Sequence, residues 1–351
     1  MNENGQNEGV RVQPAPACFL CGREGRTLYG KLRDCMFAAP GVWSVLRCPG
    51  CGFVWLDPRP VAPDVGLLYA HYHTHTAPVE PLDRSRPIRN ATKRAVLAAG
   101  FGYTRLPVSR GWLMFGRVLS QLDPIRDLVG APIRWLDESA RGALLDVGAG
   151  SGGFLAQMRG LGWDVHGVEP DPSAVEVARG QLGLDVTCAT LEEARFPEHS
   201  FDVVTMGHVV EHLPDPIGTL RECRRVLKSG GRLVVVTPNV ESLGHYLSRS
   251  RWRGLEVPRH LQLFSASTLR RLAELAGFRV TGLRTTANSA RWMLIASRQI
   301  QRRGSLPGGA PEPASRWERL EAFTFWALER ALVTLRPLGE EVVMLATKEG
   351  G

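Results

Sequence analysis

From Gly142 to the end of the chain, apolar runs rich in Val and Leu alternate with segments of helical periodicity. Strands are expected near 143–147, 164–168, 185–188, 202–206, 232–237, 279–285 and 341–347. Helices are expected near 152–160, 172–182, 216–227 and 267–276. "SGGRL" and "AGF" place glycine where helices stop before strands. Alternation with short links leaves one economical solution. Each helix crosses over a largely parallel sheet, giving a doubly wound α/β fold.

The first strand runs into "LLDVGAGSGGFL", residues 144–155. Gly148, Gly150 and Gly153 fit the dinucleotide spacing G-x-G-x-x-G, which brings a pyrophosphate to a helix N-terminus. Asp146, two residues before Gly148, argues against that ligand, because a carboxylate at the turn repels a doubly charged pyrophosphate. S-adenosylmethionine has no phosphate and carries a sulfonium and an ammonium against one carboxylate. Asp146 suits it, and a turn of Gly148, Ala149, Gly150 and Gly152 admits close backbone approach. Glu169 ends the second strand 19 residues after Gly150 and is placed to accept ribose hydroxyls, which suits either ligand.

"LLDVGAGSGGFL", "GVEPDPSAVEVA", "SFDVVTMGHVVEHLPDP", "RVLKSGGRLVVVTPN" and "PRHLQLFSASTLRRLAELAGF", in this order, resemble class I S-adenosylmethionine-dependent methyltransferases, nearest to the ubiquinone-biosynthesis-type group. "CFLCG…LRCPGCGFVWLDPRP…LYAHY" resembles the zinc-ribbon front of a bacterial subgroup often linked to surface polysaccharide or other secondary pathways. The resemblance implies a seven-stranded Rossmann-like methyltransferase sheet whose last, antiparallel strand is "EEVVMLATK". It implies that Asp146 and the glycine turn hold the methionine part, Glu169 the ribose and Pro170 the adenine. Thr190 and Leu191 would act on the adenine through backbone and packing, and Met206, Gly207 and His208 would border the transferred methyl.

Methyl transfer to a hydroxyl also requires a proton acceptor, often His. "GHVVEHLPDP" offers His208, Glu211 and His212, the two histidines sharing a helical face at a spacing of four. Some enzymes of the resembling group use a divalent metal in this segment, with additional acids. Here His208 and Val210 surround Glu211, and no catalytic metal is expected. His260, in "RWRGLEVPRHLQLFS", is a second candidate, with Trp252 expected to cover the acceptor and Arg259 to bind an anion.

There are seven cysteines, and "CFLC" and "CPGC" are separated by 26 residues. Cys18, Cys21, Cys48 and Cys51 lie in two turns, each followed by Gly, and together make a closed tetrahedral set for structural zinc. Cys35 is expected to pack. His71, His73 and His75 read as a surface or linker segment.

The expected organisation is a flexible tail (1–17), a zinc-ribbon module (18–80), a helical connector (81–141) and the methyltransferase domain (142–351). The last carries a helical insertion at about 286–340, of which "RWERLEAFTFWALERALVTL" would cap the acceptor or form a dimer face. "GWLMFGRVLSQL" reads as a connecting helix packed on the main domain. Trp112 and Phe115 among basic residues leave a membrane-surface role as the alternative.

No 18-residue stretch is free of charge and no signal core is present, so a cytoplasmic protein is expected. Of a net charge of +8, Gly244 to Arg303 contributes twelve Arg against two acids. This local excess favours an anionic small-molecule or glycan acceptor, with RNA as the alternative substrate.

Overall fold

The computed structural model describes residues 6–69 and 87–349. His71, His73 and His75 lie outside them. The expected flexible tail is corrected at once. β1 (Val10–Gln13) pairs with Arg59–Pro60, and Val10 and Val12 are buried in a core cluster with Trp43, Val45, Val54 and Leu56. Val10 and Val12 alternate with Arg11 and Gln13, a half-buried strand pattern too short to register beside a polar leader.

β2 (Arg26–Leu32), β3 (Trp43–Arg47) and β4 (Val54–Asp57) form an antiparallel sheet. Its fourth strand, Gln262–Leu263, comes from far along the chain and pairs with β4. The cysteine module is therefore not a separate bead.

Three helices follow: α1 (Pro87–Gly100), α2 (Arg110–Leu119) and α3 (Asp123–Gly130). Gly116 sets the approach of α2 to α1, since a Cβ there would stand 2.3 Å from the Ala95 carbonyl oxygen.

The main sheet then builds as β5 (Ala143–Val147), α4 (Gly153–Gly160), β6 (Asp164–Glu169), α5 (Pro172–Leu182), β7 (Asp185–Cys188) and β8 (Phe201–Gly207). It continues through α6 (Pro216–Val226), β9 (Leu227–Pro238), α7 (Ala266–Leu275) and β10 (Arg279–Thr286). α8 (Ala290–Arg303), α9 (Arg316–Leu332) and β11 (Glu341–Thr347) complete it. The seven strands lie in the order β10–β11–β9–β8–β5–β6–β7, with β8/β5, β5/β6 and β6/β7 parallel. Position explains composition. Central β5 (ALLDV) is almost wholly buried, whereas edge strand β7 (DVTC) alternates. The chain reverses at β5, the switch point outside which such sheets place their ligands.

The insertion contains two helices, not the one expected. α8 carries small residues among its apolar ones, and Ala290 and Leu294 pack on Ala322 and Phe325 of α9. Arg298–Glu321 (2.7 Å) and Arg302–Glu318 (2.6 Å) tie the same pair.

Two compact units are distinguished: Met1–His73, His208–Leu220 and Val235–Met344 in the first, and Thr74–Gly207, Arg221–Val234 and Leu345–Gly351 in the second. Among the described residues no helix is long and apolar enough to cross a membrane.

Candidate functional site

The second unit holds every residue assigned to the cofactor. β5 delivers Asp146, which is 1% exposed, to the start of the glycine turn. Gly148 and Ala149 both donate to the Val168 carbonyl (2.9 and 3.0 Å), and Gly152 closes the turn on Ala149 (3.0 Å). Gly150 has φ +53°, and a Cβ there would meet nothing within 4 Å. Its glycine thus serves the backbone conformation and leaves the turn open. Gly152 is confined instead, because a Cβ would stand 2.4 Å from Leu184. Glu169 ends β6 and latches the turn: Oε2 accepts from the Gly150 amide (2.9 Å) and Oε1 from that of Asp171 (3.0 Å). Burial raises the Glu169 pKa against these bonds.

Pro170 is exposed and Met206 fully buried. Thr190 caps a short helix with Glu193 in a reciprocal box while Leu191 is buried behind it.

Arg134 was not anticipated. Its guanidinium is salt-bridged to Asp146, donates to Thr205 Oγ1 (2.7 Å) and lies 3.8 Å over the Phe154 ring. Thr205 in turn donates to Asp146 (2.8 Å). Burial pushes the Asp146 pKa up, and Arg134 and Thr205 pull against it. Arg134 and Trp135 have φ of +48° and +54°, a left-handed pair of bulky residues. Such backbone is unfavourable and persists only when held. Here Trp135 N donates to Gly130 O (2.8 Å) and its indole to Asp127 (3.1 Å). Gly207 gives Arg134 room, since a Cβ there would stand 2.7 Å from the guanidinium.

The first unit holds the catalytic candidates. Glu211 is fully buried. Thr237 donates to its Oε2 (2.9 Å), and its Oε1 has no hydrogen bond, with His208 Nδ1 at 3.4 Å. His208 Nε2 lies 3.2 Å from Glu341. Burial opposes a charge on His208, but the two carboxylates prevail and raise its pKa. Half of the His208 side chain remains exposed. Burial would raise the Glu211 pKa, yet His208 and the nearby imidazoles hold it down to about 2.

His212 Nδ1 meets Tyr69 Oη (2.8 Å) and the Arg259 carbonyl (3.1 Å). His260 Nδ1 meets the Gly254 carbonyl (2.8 Å). Each ring thus has Nδ1 engaged by a backbone carbonyl, and His260 Nε2 lies 3.8 Å from Glu256 Oε2. The rings are 4.7 Å apart, and Glu211, His212 and His260 each offer a donor atom within 4.8 Å of the others. Burial and the neighbouring His212 lower the His260 pKa to about 4.

Two assignments are corrected. Arg259, expected to bind an anion, is fully buried. It grips Asp34 with both terminal nitrogens (2.7 and 3.0 Å), reaches Glu256 with Nε (3.2 Å) and stacks over Phe37. Its charge and fork are spent on holding the loop that carries His260. Trp252, expected to cover the acceptor, is 2% exposed and donates to Glu340 (2.9 Å) inside the core. The Arg-rich stretch is also partly spent internally: Arg253, Arg298, Arg302 and Arg303 pair with Glu256, Glu321, Glu318 and Glu312. Arg251 instead lines a cavity of about 1000 Å³ with Lys31, Arg33 and the apolar Leu28, Leu32 and Met36.

The cysteines form two equivalent knuckles. Gly22 N donates to Cys18 O (2.7 Å) and Gly52 N to Cys48 O (3.0 Å), with φ of +75° and +76° at the glycines. All four Sγ atoms lie within 4.8 Å of one another, with Cys18–Cys51 at 3.6 Å and Cys21–Cys48 at 3.3 Å. Cys35 packs against the cluster of Met36, Phe37 and Ile300.

Residues 123–283 match the family described as "Methyltransferase domain". This span contains β5–β8, the glycine turn and both His-bearing segments. This span is therefore similar to a methyltransferase domain. A ubiquinone biosynthesis O-methyltransferase of Pseudomonas paraeruginosa is 33% identical over 129 residues, covering 34% of this chain and 56% of that protein. One of Thiobacillus denitrificans is 32% identical over 138 residues, covering 37% and 60%. The chain thus spans little more than half the length of these relatives. An S-adenosylmethionine-dependent methyltransferase structure from Thermotoga maritima, described as a possible histamine N-methyltransferase, is 22% identical with a TM-score of 0.42. That likeness covers 68% of this chain and 95% of the other. The matched span starts at α3, so Arg134 falls inside it.

Proposed function

We propose that this protein transfers the methyl group of S-adenosylmethionine to a hydroxyl oxygen of a small-molecule acceptor. The observation that carries the reading is the Arg134–Asp146 pair beside the open glycine turn. It is complementary to an α-amino acid: the guanidinium takes the carboxylate and Asp146 the ammonium. A dinucleotide has no such zwitterion. Glu169 supplies the ribose contact, its oxygens keeping lone pairs beyond the two amides they already accept.

In the transfer, the acceptor oxygen attacks the methyl carbon. The carbon–sulfur bond breaks, its electron pair stays on sulfur to leave S-adenosylhomocysteine, and the acceptor proton goes to His212 Nε2. Tyr69 and the Arg259 carbonyl fix the ring through Nδ1, and ionised Glu211 favours the imidazolium that results. The relatives are O-methyltransferases, which supports oxygen as the acceptor atom. An anionic group on the acceptor would be met by Arg251 and Lys31 in the cavity they line, in place of Arg259. The nucleic-acid alternative loses support because much of the Arg-rich stretch is neutralised internally.

A second reading of the His cluster rests on one observation. Glu211 Oε1 lacks a hydrogen bond, and both imidazoles are oriented through Nδ1, as metal-ligating histidines are. Glu211, His212 and His260 fit a divalent cation, which supplies Lewis-acid polarisation of the acceptor oxygen when bound. Turnover before and after chelation, with Mg²⁺, Mn²⁺ or Zn²⁺ restored, separates the readings. Activity indifferent to chelation leaves His212 as the base.

The cysteine set fits zinc. Four thiolates at about 2.3 Å from one ion stand roughly 3.8 Å apart, close to the separations of 3.3 and 3.6 Å. The Gly50 amide already donates to Cys48 Sγ (3.3 Å). With every position a protein ligand, the ion is structural.

The reaction reading is tested by incubating the protein with S-adenosylmethionine and phenolic or catecholic acceptors and following S-adenosylhomocysteine. Release that requires acceptor and is lost in His212→Gln supports it. Cofactor binding without turnover on any hydroxyl acceptor rejects it.

A further inference from the structure

Among the described residues of the second unit, α2 carries a run of exposed apolar side chains, and they are not on the face that packs on α1. Gly116 and Ser120 are buried on the packing side. On the other side Met114 is 60%, Phe115 49%, Val118 65% and Leu122 50% exposed. At helical spacing Phe115 and Val118 share one side, and Leu122 follows in the turn after the helix. Beside Phe115 and Val118 runs a stripe of Arg110, Met114 and Arg117, with Arg117 Nη1 3.8 Å from Met114 Sδ. A helix apolar on both sides, with one side open, has a partner for the open side.

The charge states which partner. From Pro87 to Leu122 there are six basic residues, Arg89, Lys93, Arg94, Arg105, Arg110 and Arg117, and no Asp or Glu. A second copy docking through the same face would set Arg110 and Arg117 against their own counterparts. Nucleic acid would satisfy the cations and leave four large apolar side chains in water. An anionic bilayer answers both features, with phosphates for the arginines and an acyl boundary for the apolar stripe.

We propose that α2, through Leu122, is a peripheral docking surface for membranes carrying anionic lipid. Arg110 and Arg117 meet headgroup phosphates, while Met114, Phe115, Val118 and Leu122 enter the interface. α2 has ten residues, so it lies on the bilayer and does not cross it. The surface lies outside the matched domain span of 123–283 and is independent of which acceptor is methylated.

The test is co-sedimentation of the full chain with vesicles of phosphatidylcholine alone or mixed with phosphatidylglycerol. Circular dichroism controls for folding. The chain is expected to bind the mixed vesicles and not the neutral ones, more weakly as salt rises. Arg110→Glu/Arg117→Glu should weaken binding by at least roughly fivefold for each arginine removed. Phe115→Ser/Val118→Ser should weaken it at low salt, where charge alone would suffice. Three results overturn the proposal: no binding to mixed vesicles, binding untouched by the Phe115/Val118 pair, or self-association in sedimentation velocity that this same pair abolishes.

Discussion

Arg134 and Asp146 are twelve positions apart, yet they make one salt bridge. Arg134→Ala should weaken S-adenosylmethionine by about 10- to 100-fold, the worth of a charge-assisted contact of ~1.5–3 kcal/mol. Decarboxylated S-adenosylmethionine lacks the group that Arg134 meets, so its affinity should barely change in calorimetry. Equal losses for both ligands would show that Arg134 only props up Asp146. His212→Gln should lower kcat by ~10²–10⁴, the usual weight of a general base, with cofactor affinity retained. His208→Gln should cost far less, because Glu211 and Glu341 raise the His208 pKa and favour its charged ring. Asp146, Glu169 and the glycines were legible because each sits at a strand end that hydrophobic periodicity marks. Arg134 was not, because it lies in an irregular loop before the first sheet strand, and its left-handed backbone leaves no trace in composition. Arg259 misled for the opposite reason: an Arg beside a His in a basic stretch looks available, and only Asp34, 225 positions away, shows that it is taken.

Among the elements, the seven sheet strands and their crossover helices were readable, since apolar runs and glycine stops mark their ends. The β4 pairing with Gln262–Leu263 was not, because two residues carry no periodicity. That pairing changes what zinc loss should do. Cys48→Ser should abolish a content of about one zinc per chain. It should also raise proteolysis of the 256–263 loop, since the cysteine sheet shares its edge with that loop. A zinc-free variant with unchanged proteolysis there would contradict the shared sheet.

α9 and β11 bring a second buried pair together. Glu329 and Glu340 are each 0% exposed, and Glu329 accepts the Glu340 amide (2.8 Å). Trp252 and Ser242 donate to Glu340, and Glu341, which faces His208, adds its charge. Burial, then mutual repulsion, raises the Glu329 pKa, while burial against the Trp252 and Ser242 bonds raises that of Glu340. A carboxyl raised on folding gives stability that is fully present below its unfolded pKa and lost as pH rises through the folded one. The contribution of this pair to thermal stability should therefore decline from acidic toward alkaline pH. Glu329→Gln should flatten that decline, gaining about 1–2 kcal/mol at alkaline pH and nothing near pH 4. A variant whose melting temperature tracks the parent across this range would show that the pair does not titrate.

At the scale of the molecule, the chain is not organised in the sequential blocks that its composition suggests. The cysteine module, the His-bearing segment after β8 and the long insertion belong to one compact unit, and the cofactor residues belong to the other. Sequence order cannot show this, because compactness depends on contacts such as Arg259–Asp34 and Gln262–Trp55 that join distant segments. The division does separate two kinds of failure. Substitutions at Asp146, Gly150 or Glu169 should abolish cofactor binding, whereas those at Glu211 or His212 should abolish turnover with binding intact. The central claim is that the glycine turn with Asp146, Glu169 and Arg134 is built for S-adenosylmethionine. Isothermal titration calorimetry of the full chain with S-adenosylmethionine and, separately, NAD tests it most directly. The account predicts saturable binding of one S-adenosylmethionine per chain, weakened in Glu169→Ala, and no heat from NAD. Tight NAD binding without affinity for S-adenosylmethionine would contradict it.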